Sequence, residues 1–423
     1  MSLINKRKDM TPFDMTERPV KQFLPLAWLL WGASYILTAR FGMKAERIGM
    51  KGLKGPFLVL STHQGFSDYF IAPRMLFPRR ANYVSDMEGF ANYGKLLYRL
   101  GGCIGKRRYV SDIAVVRNIR YALFTLKQPV VLFPESRHSD AGITSNLPKN
   151  LGKLAKSLQV PLVLLTAHGS YLANPFWDES HTRKTRMSAR LELVYSSDDI
   201  KRLSASEIQK TIEEKMMYDE YKWQADNHIK IDYPKRAEGL HKPLYKCLHC
   251  NTEGAMASGS TKLWCTACDT SWHLNEWGQL IPEKPSSDSI HIPDWYIWER
   301  EQVKKELIND SYRGIDIPVT VEALPNENGF VSLGSGRLIH TLSGYTLHLD
   351  CPDSELVKNS PDSFPLVIPN KTLESTQTEY NYRGKGKAIV LSTKNCCYYI
   401  YSDAPDFPVT KLEFAVEEIN KLN

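Results

Sequence analysis

Residues Pro56-Phe57-Leu58-Val59-Leu60-Ser61-Thr62-His63-Gln64-Gly65-Phe66-Ser67-Asp68-Tyr69 decide how the chain is read. Phe57 to Ser61 are apolar or small, and they are bounded by Pro56 and by the turn formers Gly65 and Ser67. That pattern predicts a short strand covered on both faces, as in a parallel sheet. His63 then stands at the strand's carboxyl end, the edge of an α/β sheet where ligands enter between loops. Asp68 lies five residues on, an offset that does not bring two side chains together on one helical face. A turn has to return it to His63, and Gly65 is the residue expected to make that turn. A carboxylate on one ring nitrogen fixes the tautomer and frees the other nitrogen to take a proton. A purely structural hydrogen bond satisfies the same pattern.

Working outward, 423 residues suffice for a sizeable core divided over two or three domains. A charged fraction of 24% and a mean hydropathy of -0.35 exclude a polytopic membrane protein. The net charge of +7 favours anionic partners such as phosphate groups, acidic lipid or nucleic acid. Eight cysteines, four of them in two Cys-x-x-Cys pairs, point to a metal site in a reducing compartment and not to a disulfide scaffold.

Lys6, Arg7 and Lys8 precede an apolar run from Phe23 to Ala39 that holds Pro25, Trp28, Trp31 and Tyr35. It is slightly short for spanning, so residues 1–45 read as a segment seated at a membrane interface, peripheral or monotopic, on the cytoplasmic face; a core helix is the alternative. Beyond the His63 stretch, Met87 to Leu100 reads as a helix. Gly101 to Arg108 reads as a glycine-rich turn with three successive cations, suited to phosphate or to solvent. Ser111 is expected to cap the next helix. Val130 to Phe133 and Val160 to Thr166 are two further buried strands, the first ending in Pro134-Glu135-Ser136-Arg137-His138, and Ser204-x-x-Glu207 is a capping box. Strands alternating with helices predict an α/β domain over residues 46–235, a largely parallel sheet flanked by helices.

His63-x4-Asp68, the Gly102 to Arg108 turn, Phe133-Pro134-Glu135 and Val160-Pro161 together resemble, in order and spacing, the four sequence blocks of the glycerolipid (lysophosphatidic acid) acyltransferases. The resemblance covers roughly residues 45–235. It implies transfer of a fatty acyl group from acyl-CoA or acyl-carrier protein to the hydroxyl of a lysophospholipid, most simply 1-acyl-sn-glycerol-3-phosphate. A hydroxyl attacks a thioester only as a base takes its proton, so His63 is assigned as base and Asp68 as its orienter. Arg108 and Glu135 match the arginine and glutamate of the second and third blocks. With Lys106, Arg107, Arg137 and His138 they would grip the acceptor. The family's third block reads Phe-Pro-Glu-Gly-Thr-Arg; here Ser136, Arg137 and His138 occupy its last three places, so the arginine is displaced by one. Thr62 replaces the usual asparagine before the histidine.

Pro234, Gly239 and Pro243 suggest a linker, and residues 240–284 carry Cys247-x2-Cys250-x14-Cys265-x2-Cys268, the spacing of a structural four-sulfur zinc ribbon. His249 and His273 are read as bystanders. The ribbon lacks a dense basic and aromatic patch, so no nucleic-acid partner is expected. Pro285 to Ser289 reads as a second linker, and residues 290–423 as a β-rich, pleckstrin-homology-like module closed by a helix from Glu413 to Leu422. Cys351, Cys396 and Cys397 are expected to be packed. The competing reading of the whole chain is a lipid-surface scaffold with an altered acyltransferase domain.

Overall fold

A computed structural model describes residues 9–179, 182–284, 288–402, 404 and 407–422. Lys6 to Lys8 and residues 285–287 of the second linker lie outside them. The first layer is a seven-stranded sheet: β1 (Lys44–Ile48), β2 (Leu58–Ser61), β3 (Asn82–Asp86), β4 (Cys103–Lys106), β5 (Val130–Leu132), β6 (Leu162–His168) and β7 (Ser188–Tyr195). Its order is β1-β7-β6-β2-β5-β3-β4. Only the β6–β7 pair is antiparallel among these neighbours. The helices placed around this layer are α1 (Leu24–Ala39), α2 (Asp68–Leu76), α3 (Met87–Tyr93), α4 (Lys95–Leu100), α5 (Ile113–Phe124), α6 (Leu151–Leu158), α7 (Ala205–Met216) and α8 (Glu220–Asp226).

The alternation of a strand sends Leu58, Leu60, Leu132, Leu162 and Leu164 to one face, where they bury against Ile119, Leu123, Leu151, Leu158 and Ile212. Phe57, Val59, Val131, Val163 and Leu165 go to the other, against Ile71, Ala72 and Met75 of α2. Each such side chain withdrawn from water contributes about 2 kcal/mol, and this double burial makes the central strands continuous apolar runs.

Several local expectations shift. The stretch from Met87 to Leu100 is two helices, because Gly94 between them adopts φ 86° and ψ 142°. Part of the presumed glycine-rich turn is β4, paired parallel to β3. The cap of α5 is Asp112, not Ser111: its carboxylate accepts from the Ala114 amide at 2.7 Å, and the helix starts one residue later than expected. The Ser204 capping box is present as read.

The remaining chain forms two antiparallel sheets. The first runs β12-β11-β10-β9-β8, built from β8 (Met256–Gly259), β9 (Lys262–Cys265), β10 (Ser271–Leu274), β11 (Gln279–Pro282) and β12 (Ile290–His291). Helix α9 (Ile292–Ile308) follows and includes Trp295 and Tyr296, both buried. The second sheet runs β16-β15-β14-β13-β19-β18-β17. Its strands are β13 (Ile315–Leu324), β14 (Val331–Thr341), β15 (Gly344–Leu349), β16 (Leu366–Pro369), β17 (Gln377–Glu379), β18 (Lys387–Ser392) and β19 (Cys397–Ser402), and α10 (Val409–Leu422) closes it.

These layers share cores. Tyr171, Leu172 and Trp177 join one apolar cluster with Leu263 and Trp272 of the cysteine-bearing sheet and Phe414 of α10. The presumed linker near Gly239 is packed: Ala237, Leu240 and Leu244 are buried, and a Cβ on Gly239 (φ 91°) would lie 2.3 Å from the Trp177 carbonyl. Cys396 and Cys397 are buried, but Cys351 is exposed, correcting the expectation for that residue. Second, Phe13, Met87 and Phe90 pack directly on Val390, Tyr399 and Tyr401 of the C-terminal sheet. The C-terminal module therefore lies over the carboxyl edge of β3, β4 and β5.

Candidate active site

His63 follows β2 at the carboxyl edge, and Asp68 is the first residue of α2. The intervening loop curls so that Asp68 Oδ2 accepts from the backbone amides of Gln64 (2.6 Å) and Gly65 (3.0 Å) and stands 3.3 Å from His63 Nδ1. Gly65 makes this possible through space, not through a left-handed φ: a Cβ there would sit 3.0 Å from the Ser170 carbonyl oxygen. With Nδ1 held by a carboxylate, Nε2 is the nitrogen left for a proton from outside.

Glu135 braces the other side of the element. Its Oε1 accepts from the His63 amide at 2.8 Å, and its Oε2 accepts from the Ser145 amide (2.9 Å) and the Tyr218 hydroxyl (3.1 Å). Burial pushes this carboxyl up to about 7, against the pull of those three donors. Glu135 thus positions the histidine backbone and is not directed at an acceptor. His63 is 7% exposed and its ring packs against those of Phe133, Tyr69 and His138, with centroids at 4.6, 5.6 and 4.4 Å. Tyr69, 41% exposed, packs in turn on Phe66, 54% exposed, with ring centroids 5.7 Å apart. Burial and the neighbouring His63 charge push His138 well below the usual imidazole range, so it faces the site as a neutral ring.

The four cations expected to converge do not. Lys106 ends β4 and donates to Ser136 Oγ at 2.9 Å; burial lowers its ammonium to about 8. It lines a cavity of about 250 Å³ with Leu132, Ile119 and Leu154, on the sheet face opposite Phe133. Arg107 turns away and donates to the carbonyls of Lys394 and Asn395, both at 2.8 Å, in the C-terminal module. Arg108 pairs with Asp86, with Nε at 3.2 Å, and lies near Glu88 (3.8 Å) and Glu379 (4.0 Å). Burial alone would raise Asp86, but the charge and hydrogen bond of Arg108 outweigh it and hold the carboxyl below its ordinary range. Arg137, 6% exposed, is paired with Asp140 (3.1 Å), Glu413 and Glu417 (3.6 Å). Ser136 has φ 61°, which accounts for glycine at this place in the resembled block.

Away from this edge, the Sγ atoms of Cys247 and Cys268 are 3.8 Å apart, those of Cys250 and Cys265 3.7 Å, and all four lie within 4.8 Å of one another. Four sulfurs ~2.3 Å from a zinc ion form a tetrahedron with edges of about 3.8 Å, so the cluster fits that ion. The two knuckles match: the carbonyls of Cys247 and Cys265 each accept from an amide four residues on, Asn251 and Asp269, both at 3.0 Å. His273 Nδ1 is instead 3.2 Å from Thr261 Oγ1. Such a site is saturated by protein and would hold structure, not perform chemistry.

Sequence reasoning missed Asp86, Glu88, Glu379, Glu413 and Glu417. The one signal was the spacing of Glu413 and Glu417, which share a helical face at four residues apart. On an ordinary amphipathic helix that face is in water; α10 is buried on nearly every side.

Comparison with known proteins adds the following. Residues 20–166 match the family model described as Acyltransferase. The chain matches no curated protein. Among solved structures it is similar to the 1-acyl-sn-glycerophosphate (LPA) acyltransferase of Thermotoga maritima, at 16% identity and a TM-score of 0.37, over 45% of this chain and 76% of that one. An acyltransferase domain is therefore present in the first layer.

Proposed function

We propose that this domain transfers a fatty acyl group from a thioester, acyl-CoA or acyl-carrier protein, to the hydroxyl of a lysophospholipid at a membrane surface. The observation that carries the reading is the His63–Asp68 pair at 3.3 Å on the carboxyl edge of a buried parallel strand. As the acceptor hydroxyl attacks the thioester carbonyl, its proton passes to His63 Nε2. The C–S bond then breaks as the tetrahedral intermediate collapses, and the thiolate recovers the proton from the imidazolium. Asp68 holds the ring in the tautomer that permits this and stabilises its charged form.

The setting supports a lipid substrate. No helix among the described residues is long and apolar enough to cross a membrane. Helix α1 instead buries Ala27, Trp31, Ser34 and Thr38 and turns Leu24, Trp28, Leu29 and Ile36 outward at 46 to 74% exposure. It packs on α2, the helix that begins at Asp68, so an apolar outer face adjoins the element carrying the reaction. The four cysteines are proposed to bind a structural zinc.

The test is purified protein with radiolabelled acyl-CoA and a lysolipid panel. His63→Ala is expected to abolish ester formation with an unchanged circular dichroism spectrum; unchanged turnover would refute the assignment. A second reading, a lipid-surface scaffold, is favoured by the depth of His63, and any acyl ester product in the same assay excludes it.

A further inference from the structure

We infer that the C-terminal module sets acceptor choice, its Glu379, Glu413 and Glu417 directing the site to a lysolipid with a neutral or zwitterionic headgroup and away from one ending in a phosphate monoester. This inference rests on the acyl-transfer reading of His63. A phosphate near His63 would use two guanidinium groups, and both are already paired. Arg108 has Asp86, Glu88 and Glu379 within 4.0 Å. Arg137 has Asp140, Glu413 and Glu417 within 3.6 Å, and Glu417 is shared with Arg300 at 2.5 Å. Buried carboxylates thus outnumber the guanidinium groups they face. Two of them show the excess, for burial and the neighbouring Glu413 charge push Asp140 up to about 8, and burial and the Glu88 charge do the same to Glu379. A dianionic phosphate would be desolvated among these carboxylates with no unpaired guanidinium to receive it, which is discrimination by repulsion.

The alternative is that the module lifts away and frees the arginines. The packing opposes this. Glu379 belongs to β17, and β18 and β19 beside it bury Val390, Tyr399 and Tyr401 against Phe13, Met87 and Phe90. The Glu413 and Glu417 carboxylates are further held from their own side by Thr378 (3.0 Å) and Ser375 (2.6 Å). Tyr296 of α9 donates to Glu413 at 3.0 Å. Arg107, 2% exposed, fastens the β18–β19 turn to the end of β4. Opening would break all of these together, so the carboxylates form a fixed wall. Lys106 does not restore an anion site beside His63, because it faces the other layer of the sheet. Alcohol or glycerol hydroxyls, by contrast, donate to such carboxylates without charge conflict.

The experiment compares kcat/KM of the full-length protein, with palmitoyl-CoA as donor, for monoacylglycerol, lysophosphatidylcholine and lysophosphatidate in mixed micelles. The expected result is at least about tenfold preference for the first or second over lysophosphatidate. Assayed at about pH 9, above the value of about 8 to which Glu379 is raised, Glu379→Gln is expected to move that ratio about tenfold towards lysophosphatidate through KM, whereas near pH 7 the protonated carboxyl and the glutamine should behave alike. Lysophosphatidate as the best wild-type acceptor, or a folded Glu379→Gln with an unmoved ratio at about pH 9, overturns the inference alone. Absence of product from every acceptor overturns it together with the acyl-transfer reading. Should Glu379→Gln fail to fold, the wild-type ranking decides.

Discussion

Glu135→Gln separates the electrostatics of the sheet edge at His63 from everything else that titrates. Glu135 is 1% exposed and its carboxyl is pushed by burial from the ordinary 4.5 to about 7. In the unfolded chain it ionises near 4.5, whereas the folded protein keeps the proton until pH approaches 7. Between those values the unfolded state binds fewer protons than the folded state, so stability falls as pH rises. At about 1.4 kcal/mol per pH unit for one proton, the loss across this window is about 3 kcal/mol, complete above about pH 7 and absent below about 4.5. The glutamine that replaces it does not titrate. The wild-type minus variant difference in unfolding free energy, from urea denaturation at about pH 4.5 and about pH 8, should therefore change by about 3 kcal/mol, wild type losing ground at the higher pH. Asp140 and Glu379 are raised in the same direction but occur in both proteins and cancel. Infrared difference spectra give a second reading: a protonated carboxyl band lost in Glu135→Gln should disappear near pH 7 in wild type. Parallel pH profiles for the two proteins would show that Glu135 is ionised in the fold, its three donors having outweighed burial.

Two further expectations concern other parts of the chain. Replacing Leu29 and Ile36, 70% and 74% exposed on α1, by glutamate should reduce co-sedimentation with anionic liposomes by about tenfold or more with a nearly unaltered melting curve, since both side chains lie mostly in solvent. Cys247→Ser should lower bound zinc, measured by elemental mass spectrometry, from one ion per chain to well below one; Cys265 in the same cluster is fully buried, so the melting temperature should fall as well.

What the sequence disclosed follows from how each element is solvated. Strands β2, β5 and β6 were legible because both their faces are buried, which leaves an unbroken apolar run. Strand β1 was not, since Lys44, Ala45, Glu46 and Arg47 are all exposed at the sheet's edge and carry no period. The capping box at Ser204 is a local hydrogen-bond pattern and needs no tertiary context, whereas Asp112 prevailed over Ser111 at α5 by one residue of register. At the site, His63 and Asp68 stand five residues apart on either side of one short turn, so their meeting could be foreseen. The fate of Arg107, Arg108 and Arg137 could not, because each has a partner in the C-terminal module, Asn395, Glu379 and Glu413 respectively, far away along the chain.

That separation bears on what the second half of the chain does. A zinc-bearing sheet and a β module joined by flexible connections would be tethers, and the acyltransferase layer would keep its own solvent-facing edge. Here the connection near Gly239 is buried under Trp177, and the edge is finished by side chains from β17 and α10. Arg107 illustrates the dependence: the β18–β19 turn covers it to 2% exposure and, through the carbonyls of Lys394 and Asn395, gives its guanidinium acceptors in place of water. The first layer is therefore complete only with the last strands in place. In the reaction proposed for it, the chemistry would rest on the turn from His63 to Asp68 after β2, and the choice of acceptor on carboxylates that the chain supplies more than two hundred residues later.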